Sequence, residues 1–305
     1  MLRSLFTGFP VVFSFFKDTR YVFVADFFAQ DLTGGAELTS EALFESCPDK
    51  IEKIHSASVN ESLILKNLDK IWIFGNFANL QRQLLPLFIE NTKYFVLEYD
   101  YKYCAFRSPE KHALNDGSCK CEYSPWGKLI ERFYANSLTT FWMSALQLHH
   151  YQSKFQNLNA DNVVLSSVFS DETLNKLKEL RASIKQKNDM WLVLGSDSWV
   201  KGTQAAVDWC LKNSKQYEIV ANLKYEDMLK KIASSHGLVY LPAGGDTCPR
   251  LVIEAKLLNC QLQLNDNVQH RNEEWFCHQN VKLIEEYLIN SKERFWGQIK
   301  NVITK

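Results

Sequence analysis

One feature constrains the fold of this chain more than any other: short apolar runs alternate with stretches of helical period, and they do so in two successive series. The first series opens with RYVFVADFF (20–28), which reads as a strand, followed by a Gly-rich turn and a helix from about Ala36. KIWIFGN (70–76) and KYFVLEYD (93–100) read as two more buried strands. Between them lies a helix, NLQRQLLPLFIE, in which Pro86 marks an irregularity. The stretch 101–126 breaks the pattern, being polar, Cys-bearing and turn-rich. A helix WGKLIERFYANS, a short strand TTFWMS and a helix to about Lys154 complete the series.

The second series starts near Asn162. NVVLSSVF reads as a strand, and DETLNKLKELRASIKQK as a helix with the acidic start and basic end that the macrodipole favours. MWLVLGS, YEIVANL, GLVYLPA and CQLQLND read as strands. GTQAAVDWCLKN, YEDMLKKIASS and RLVIEAKLLN read as the helices between them. LIEEYLINSKERFWGQIKN reads as one long C-terminal helix. Strand–helix alternation at this spacing implies parallel sheets with helices on both faces. The expected organisation is α/β, with two Rossmann-like doubly wound domains: 1–155, with a Cys-rich insertion at 101–126, and 160–280. A polar seam, SKFQNLNAD (153–161), separates them, and a helix over 281–305 packs back on the first domain.

Ligands of such sheets sit outside the carboxyl ends of the strands, and nearly every informative loop here follows a strand. GGDTCPRLVIEAKLLNC (244–260) places Asp246 at the mouth of a turn and Glu254 seven residues further on, inside an apolar helix. A buried carboxylate needs a partner. Either the chain supplies it, with Asp246 as an N-terminal acid and Glu254 in a salt bridge, or a ligand does. Pro249 suits the first helical position, where its missing N–H is no loss. Gly34-Gly35-Ala36-Glu37 precedes another helix, and paired glycines allow a ligand close to the backbone. Gly195-Ser196-Asp197-Ser198-Trp199-Val200-Lys201-Gly202 ends a third strand with a lysine, which is either a ligand cation or an ordinary solvated one.

Together these segments resemble the retaining GT-B glycosyltransferases of family four. The likeness is strongest at 240–265 and moderate at 31–37 and 195–202. It implies a cleft between two Rossmann-like domains. There Glu254 would hold the ribose of a nucleotide-sugar donor and Asp246 the hydroxyls of its sugar. Lys201, Gly34 and Gly35 would lie near the diphosphate, and the loop at Thr247 and Cys248 would meet the donor. The chain departs from the family in having Asp rather than Glu first, and in Pro249, which removes one amide donor. It also lacks the arginine that often precedes the lysine, for which Arg250 is the candidate substitute. At the end of KYFVLEYD a polar residue is expected to face the reacting sugar. The candidates are Glu98, Tyr99 and Asp100, with Asp100 favoured by alternation; its plainer role is to cap a turn. Asp26 and Asp31 are weaker candidates on the acceptor side.

Cys104, His112, Cys119 and Cys121 fall within 18 residues of a segment with little apolar content. They read either as a structural zinc site of three thiolates and one imidazole or as free thiols in a surface loop. Cys47, Cys210, Cys260 and Cys277 read as small core residues. Lys+Arg and Asp+Glu are 35 each, so no basic field argues for nucleic acid. MLRSLFTGFPVVFSFF is interrupted by Gly8 and Pro10 and lacks the small-residue cleavage site of a secretory signal. It reads as an N-terminal arm or an added strand. A contact of this arm with a membrane surface is an alternative that nothing else in the chain supports. The expected setting is a reducing cytosol.

The reading is therefore a transferase that takes a sugar from a nucleotide-sugar donor, needs no metal for catalysis, and passes the sugar to a glycan or small-molecule acceptor. Its rivals are a catalytically degenerate GT-B protein that binds such ligands or a partner protein, and another GT-B activity such as a phosphorylase or epimerase.

Overall fold

A computed structural model describes residues 19–304; the N-terminal arm read from the sequence lies outside them. Among the described residues, ten strands form two wholly parallel sheets. The first contains β1 (Tyr21–Ala25), β2 (Ile51–His55), β3 (Ile71–Phe74), β4 (Lys93–Glu98), β5 (Thr140–Trp142) and β6 (Asn162–Val164), in the order β2-β1-β3-β4-β5-β6. The second contains β7 (Trp191–Leu194), β8 (Tyr217–Val220), β9 (Gly237–Tyr240) and β10 (Gln261–Leu264), in the order β10-β9-β7-β8. Every residue of β1, β3 and β9 is buried, as expected of parallel strands covered on both faces.

Each sheet reverses its strand order once. In the first, the chain steps from β1 out to β2 and returns to lay β3 on the other side. In the second, β7 leads out to β8 and β9 returns beside β7. The loops after β1, β7 and β9 therefore open at the two crevices where the helices diverge, the usual position of a ligand in such sheets.

Several elements differ from the sequence reading. β2 was not foreseen. Its IEKIH sequence carries two charges, and every residue is half-buried because the strand sits at the sheet edge, so no buried apolar run announces it. β6 pairs with β5 in the first sheet rather than opening the second series, and the chain crosses to the second sheet only beyond Val164. Pro86 does not interrupt its helix. The helix runs Leu84–Asn91, so Pro86 falls in the first turn, where a backbone N–H has no intrahelical partner. The C-terminal helix is two, Val281–Ile289 and Ser291–Ile303. They part at Asn290, where the Ser291 hydroxyl donates to the Leu288 carbonyl at 2.5 Å, an alternative to the helical ladder that serine offers readily.

The last helix lies against the first sheet. Trp296 donates its indole N–H to the Leu43 carbonyl at 3.1 Å and packs 5.1 Å from the Tyr21 ring, while Phe295 packs 4.5 Å from Phe141. One apolar core joins Phe23 and Phe95 of the first sheet to Leu192 and Leu238 of the second, and to Phe295 of this helix. A second core covers the opposite face of the first sheet, around Trp72, Phe74 and Trp142. No helix among the described residues is long and apolar enough to cross a membrane.

Candidate active site

The loops after β1, β7 and β9 meet in a cleft of about 380 Å³, within the range of small-molecule sites. Gly34 and Gly35 line it from the first sheet. Lys201, Asp246, Thr247 and Glu254 line it from the second. Two helices begin at its edge, Gly35–Glu45 and Arg250–Leu257, and neither start has a side-chain cap. Their first-turn N–H groups are of the kind that bind anions.

The lysine–glycine pair has a local cause. Gly202 has φ 65°, and a Cβ there would overlap the Leu241 carbonyl at the end of β9. Glycine meets both demands, and the close approach of the two loops swings Lys201 over the cleft. Its ammonium lies 2.8 Å from the Asp246 carboxylate, which also accepts the Tyr240 hydroxyl at 2.5 Å. Burial alone would raise the Asp246 carboxyl. The charge of Lys201 and the two hydrogen bonds outweigh it and hold the group below the usual carboxylate range.

Glu254 sits 3% exposed inside its helix. The chain does not leave it unpartnered. Tyr225 donates to Oε1 at 2.7 Å, and Arg250 Nε stands 3.6 Å away, too far for a hydrogen bond but close enough for an ion pair. Burial raises this carboxyl, and Arg250 and Tyr225 only partly oppose it. Both readings of the two acids therefore hold a share: each has a partner within the chain, yet each also lines the cleft. Arg250 donates to the Val168 carbonyl and stacks 3.8 Å over Phe169. Its methylene stem faces Gly35 across the cleft, where an added Cβ would lie 3.7 Å from Cδ.

The loop that carries the first acid is tied to the first sheet. Thr247 donates its hydroxyl to the Tyr99 carbonyl at 2.7 Å, and Ser167 donates to the Cys248 carbonyl at 2.8 Å. Pro249 is the N-cap of its helix rather than its first residue. Cys248 is buried, and burial pushes its thiol up to about 12.

At the end of β4, Tyr99 and Asp100 reach two adjoining cavities. Tyr99 lines the cleft, its hydroxyl 2.8 Å from Ser40. Asp100 opens instead onto an adjoining cavity of about 300 Å³, which shares Tyr99, Lys201, Asp246 and Thr247 with the first. Asp100 is paired with Arg107 at 2.6 Å. Glu98 is fully buried between Lys102 and Tyr134; burial pushes it up to about 7, against the pull of Lys102. Asp26 is structural: it accepts the amides of Ala78 and Asn79 at 2.8 and 2.9 Å and the Ser56 hydroxyl. Asp31 turns back to accept the Phe28 amide.

Cys104, His112, Cys119 and Cys121 do come together, with one ligand atom of each within 4.8 Å of the others. Of the remaining cysteines, Cys210 and Cys260 are buried, Cys47 is half-buried and Cys277 is exposed, its thiol resting on the Arg271 carbonyl. Sequence reasoning missed Tyr225, Tyr240 and His270. The two tyrosines read as ordinary strand and helix residues, and only the folded chain turns them toward the acids. His270 is fully buried beside Asp246, stacked 5.7 Å from Trp275, and neither ring nitrogen has a hydrogen-bond partner among the described residues. Burial drives its imidazole down to about 3, against the pull of Asp246, so it is neutral.

No family model matches the chain, and no curated protein matches it. Solved structures do resemble it. HepE from Anabaena, in complex with UDP and glucose, superposes with a TM-score of 0.55 at 10% identity, covering 94% of this chain and all of that one. OtsA in its apo form gives 0.57 at 10% identity, over 93% and 99% of the two chains. The catalytic domain of starch synthase IV from Arabidopsis thaliana, bound to ADP and acarbose, gives 0.56 at 9% identity, over 94% and 100%. Likeness at such low identity speaks to architecture, and with the two parallel sheets it establishes that the chain has the GT-B fold, two Rossmann-like lobes facing a central cleft.

Proposed function

We propose that this chain is a glycosyltransferase that moves a sugar from a nucleotide-sugar donor to a glycan or small-molecule acceptor. One observation carries the reading: Gly34–Gly35, Lys201, Asp246 and Glu254, scattered over more than two hundred residues of sequence, line one cleft between two sheets. The resemblance to structures that hold UDP with glucose, or ADP with acarbose, supports it.

In this reading Glu254 accepts hydrogen bonds from the donor ribose and Asp246 from hydroxyls of its sugar. As the glycosidic bond breaks, its electron pair leaves with the nucleoside diphosphate. Lys201 and the uncapped starts of the helices at Gly35 and Arg250 stabilise that charge without a metal. Arg250 lines the cleft but is committed to Val168 and Phe169, so it serves as a wall more than as a second phosphate cation. The adjoining cavity beside Asp100 is the natural acceptor side, because it meets the donor cleft at Lys201 and Asp246. Transfer with retention follows the family resemblance, and no protein nucleophile is assigned. The reaction takes place in the cytosol.

The test is a screen of UDP-, GDP- and ADP-sugars, first for stabilisation against heat and then for release of nucleoside diphosphate with and without acceptor sugars. The expected result is stabilisation by one donor class, and turnover that an acceptor accelerates. The Lys201–Asp246 pair favours a second reading, since a cation already neutralised by the chain is a weaker phosphate ligand. Stabilisation without turnover would establish that reading, a binding module. No stabilisation by any nucleotide would overturn both.

A further inference from the structure

Three thiols and one imidazole converge within the segment that also lines the second cavity with Phe106, Arg107, Ser108 and Lys111. Cys104 and Cys121 are buried and belong to the core behind the first sheet, while Cys119 packs at its margin. His112 projects from the helix Pro109–Asp116. Gly117, at φ 78°, ends that helix in the left-handed region and returns the chain toward Cys119.

Three of the six ligand separations lie close to the edges of a tetrahedral ion's coordination shell. Zinc bonds of about 2.3 Å to sulfur and about 2.0 Å to nitrogen give tetrahedral edges of about 3.8 Å between sulfurs and about 3.6 Å between sulfur and nitrogen. Cys104 Sγ lies 3.7 Å from Cys119 Sγ and 3.6 Å from His112 Nδ1, and Cys121 Sγ lies 3.2 Å from the same Nδ1. A sulfur pair at 3.7 Å is far beyond disulfide length. The other face of the ring supplies an independent sign: His112 Nε2 lies 3.0 Å from the carboxylate of Asp116, one turn along. A carboxylate on the outer nitrogen fixes the tautomer that leaves the inner one free to bind a metal.

The helix that carries His112 buries little of its own. Pro109 is the only buried residue of the helix Pro109–Asp116, and Leu114 is 71% exposed. An eight-residue helix that buries no apolar face is unstable alone. Yet this segment presents Arg107, Ser108 and Lys111 to the second cavity. Arg107 holds a left-handed φ of 53° while it pairs with Asp100 and donates to Asn76 Oδ1.

We propose that Cys104, His112, Cys119 and Cys121 bind a structural zinc ion, that Asp116 orients His112 for it, and that the ion fixes the loop 104–121 as a wall of the second cavity. Four protein ligands leave no position for water, so the ion has no part in catalysis. The proposal stands whether or not the cleft transfers sugars.

Full-length protein from zinc-supplemented cells, purified without chelator, is expected to carry one zinc per chain by elemental analysis. Replacement by cobalt is expected to give the thiolate charge-transfer and tetrahedral ligand-field bands. Folded protein with only traces of zinc and no such bands overturns the site. Cys119→Ser should lose the metal. Should that variant fail to fold, Asp116→Asn keeps all four ligands and is expected to weaken zinc binding by about 10–100-fold, read by competition with a chromophoric chelator; unchanged affinity removes Asp116 from the site. Stripping the metal should speed amide exchange over 105–120 and leave β1 and β3 protected. Unchanged exchange there overturns the role of the ion in building the wall.

Discussion

The ammonium of Lys201 and the carboxylate of Asp246 are 2.8 Å apart, and each comes from a loop that follows a different strand of the second sheet. The pair is a latch across the switch point. In the proposed reaction it must share its charge with the donor, so the lysine is poised by the acid as much as it is neutralised by it. Replacing it with alanine removes the diphosphate cation and leaves Asp246 with the Tyr240 hydroxyl as its remaining named partner. For Lys201→Ala, kcat/KM for the donor should fall by about 100-fold or more, measured as nucleoside diphosphate release. A loss below about threefold would show that this cation does not face the phosphates.

Glu254→Gln keeps the shape of the side chain and an acceptor for Tyr225, but removes the charge. A hydrogen bond to a charged group is worth about 1.5–3 kcal/mol, so the donor KM should rise by about 10-fold or more while the Tm stays near that of the parent. A lower Tm with an unchanged KM would make Glu254 the internal partner of Arg250 and nothing more.

Gly202→Ala tests the lysine–glycine geometry directly. The added methyl meets the Leu241 carbonyl in a left-handed backbone, and a strained position of that kind costs about 1–3 kcal/mol. The Tm should fall by several degrees, and the donor KM should rise because Lys201 moves with the loop. A Tm within one degree of the parent's would count against the tight approach.

His270 governs part of the acid behaviour. Its folded value, about 3, lies below the about 6.5 of an unfolded histidine. The unfolded chain therefore binds the extra proton, and the contribution to stability is complete above pH ~6.5 and is lost as pH falls toward 3. The slope approaches about 1.4 kcal/mol per pH unit once the unfolded histidine is protonated, so about 1.6 kcal/mol should go between pH 6.5 and 5. Glu98 and Glu254, both raised by burial, act in the opposite direction over part of this window. The comparison is therefore with His270→Phe, by urea titration at both pH values. Equal pH dependence in the two proteins would place the histidine in contact with water or with a partner.

What could be read from sequence divides along a physical line. Parallel strands covered on both faces announce themselves as apolar runs, and so β1, β3, β4, β7 and β9 were legible. β2 was not, because an edge strand with charges on a half-exposed face has no such signature. The sequence shows a strand at Asn162 but not that it belongs to the first sheet, since a strand's own residues do not say which neighbour it will pair with. Within the site, residues held by backbone geometry were visible as motifs: Gly34–Gly35, Lys201–Gly202 and the acids at 246 and 254. The residues that complete it, Tyr225 and Tyr240, arrive by tertiary packing from separate elements. Asp100 and Tyr99 show the limit most plainly. Alternation says that neighbours on a strand point opposite ways, but a chain turning out of the sheet after Glu98 decides which of them meets the cleft.

The apolar core that runs unbroken from Phe23 through Leu238 to Phe295 makes the two lobes a single thermodynamic unit. Neither sheet can melt alone without stripping the other of its cover, and the last helix, packed beneath Leu43 and Tyr21, cannot be cut away as an appendage. A molecule drawn as two halves should therefore absorb heat in one cooperative transition.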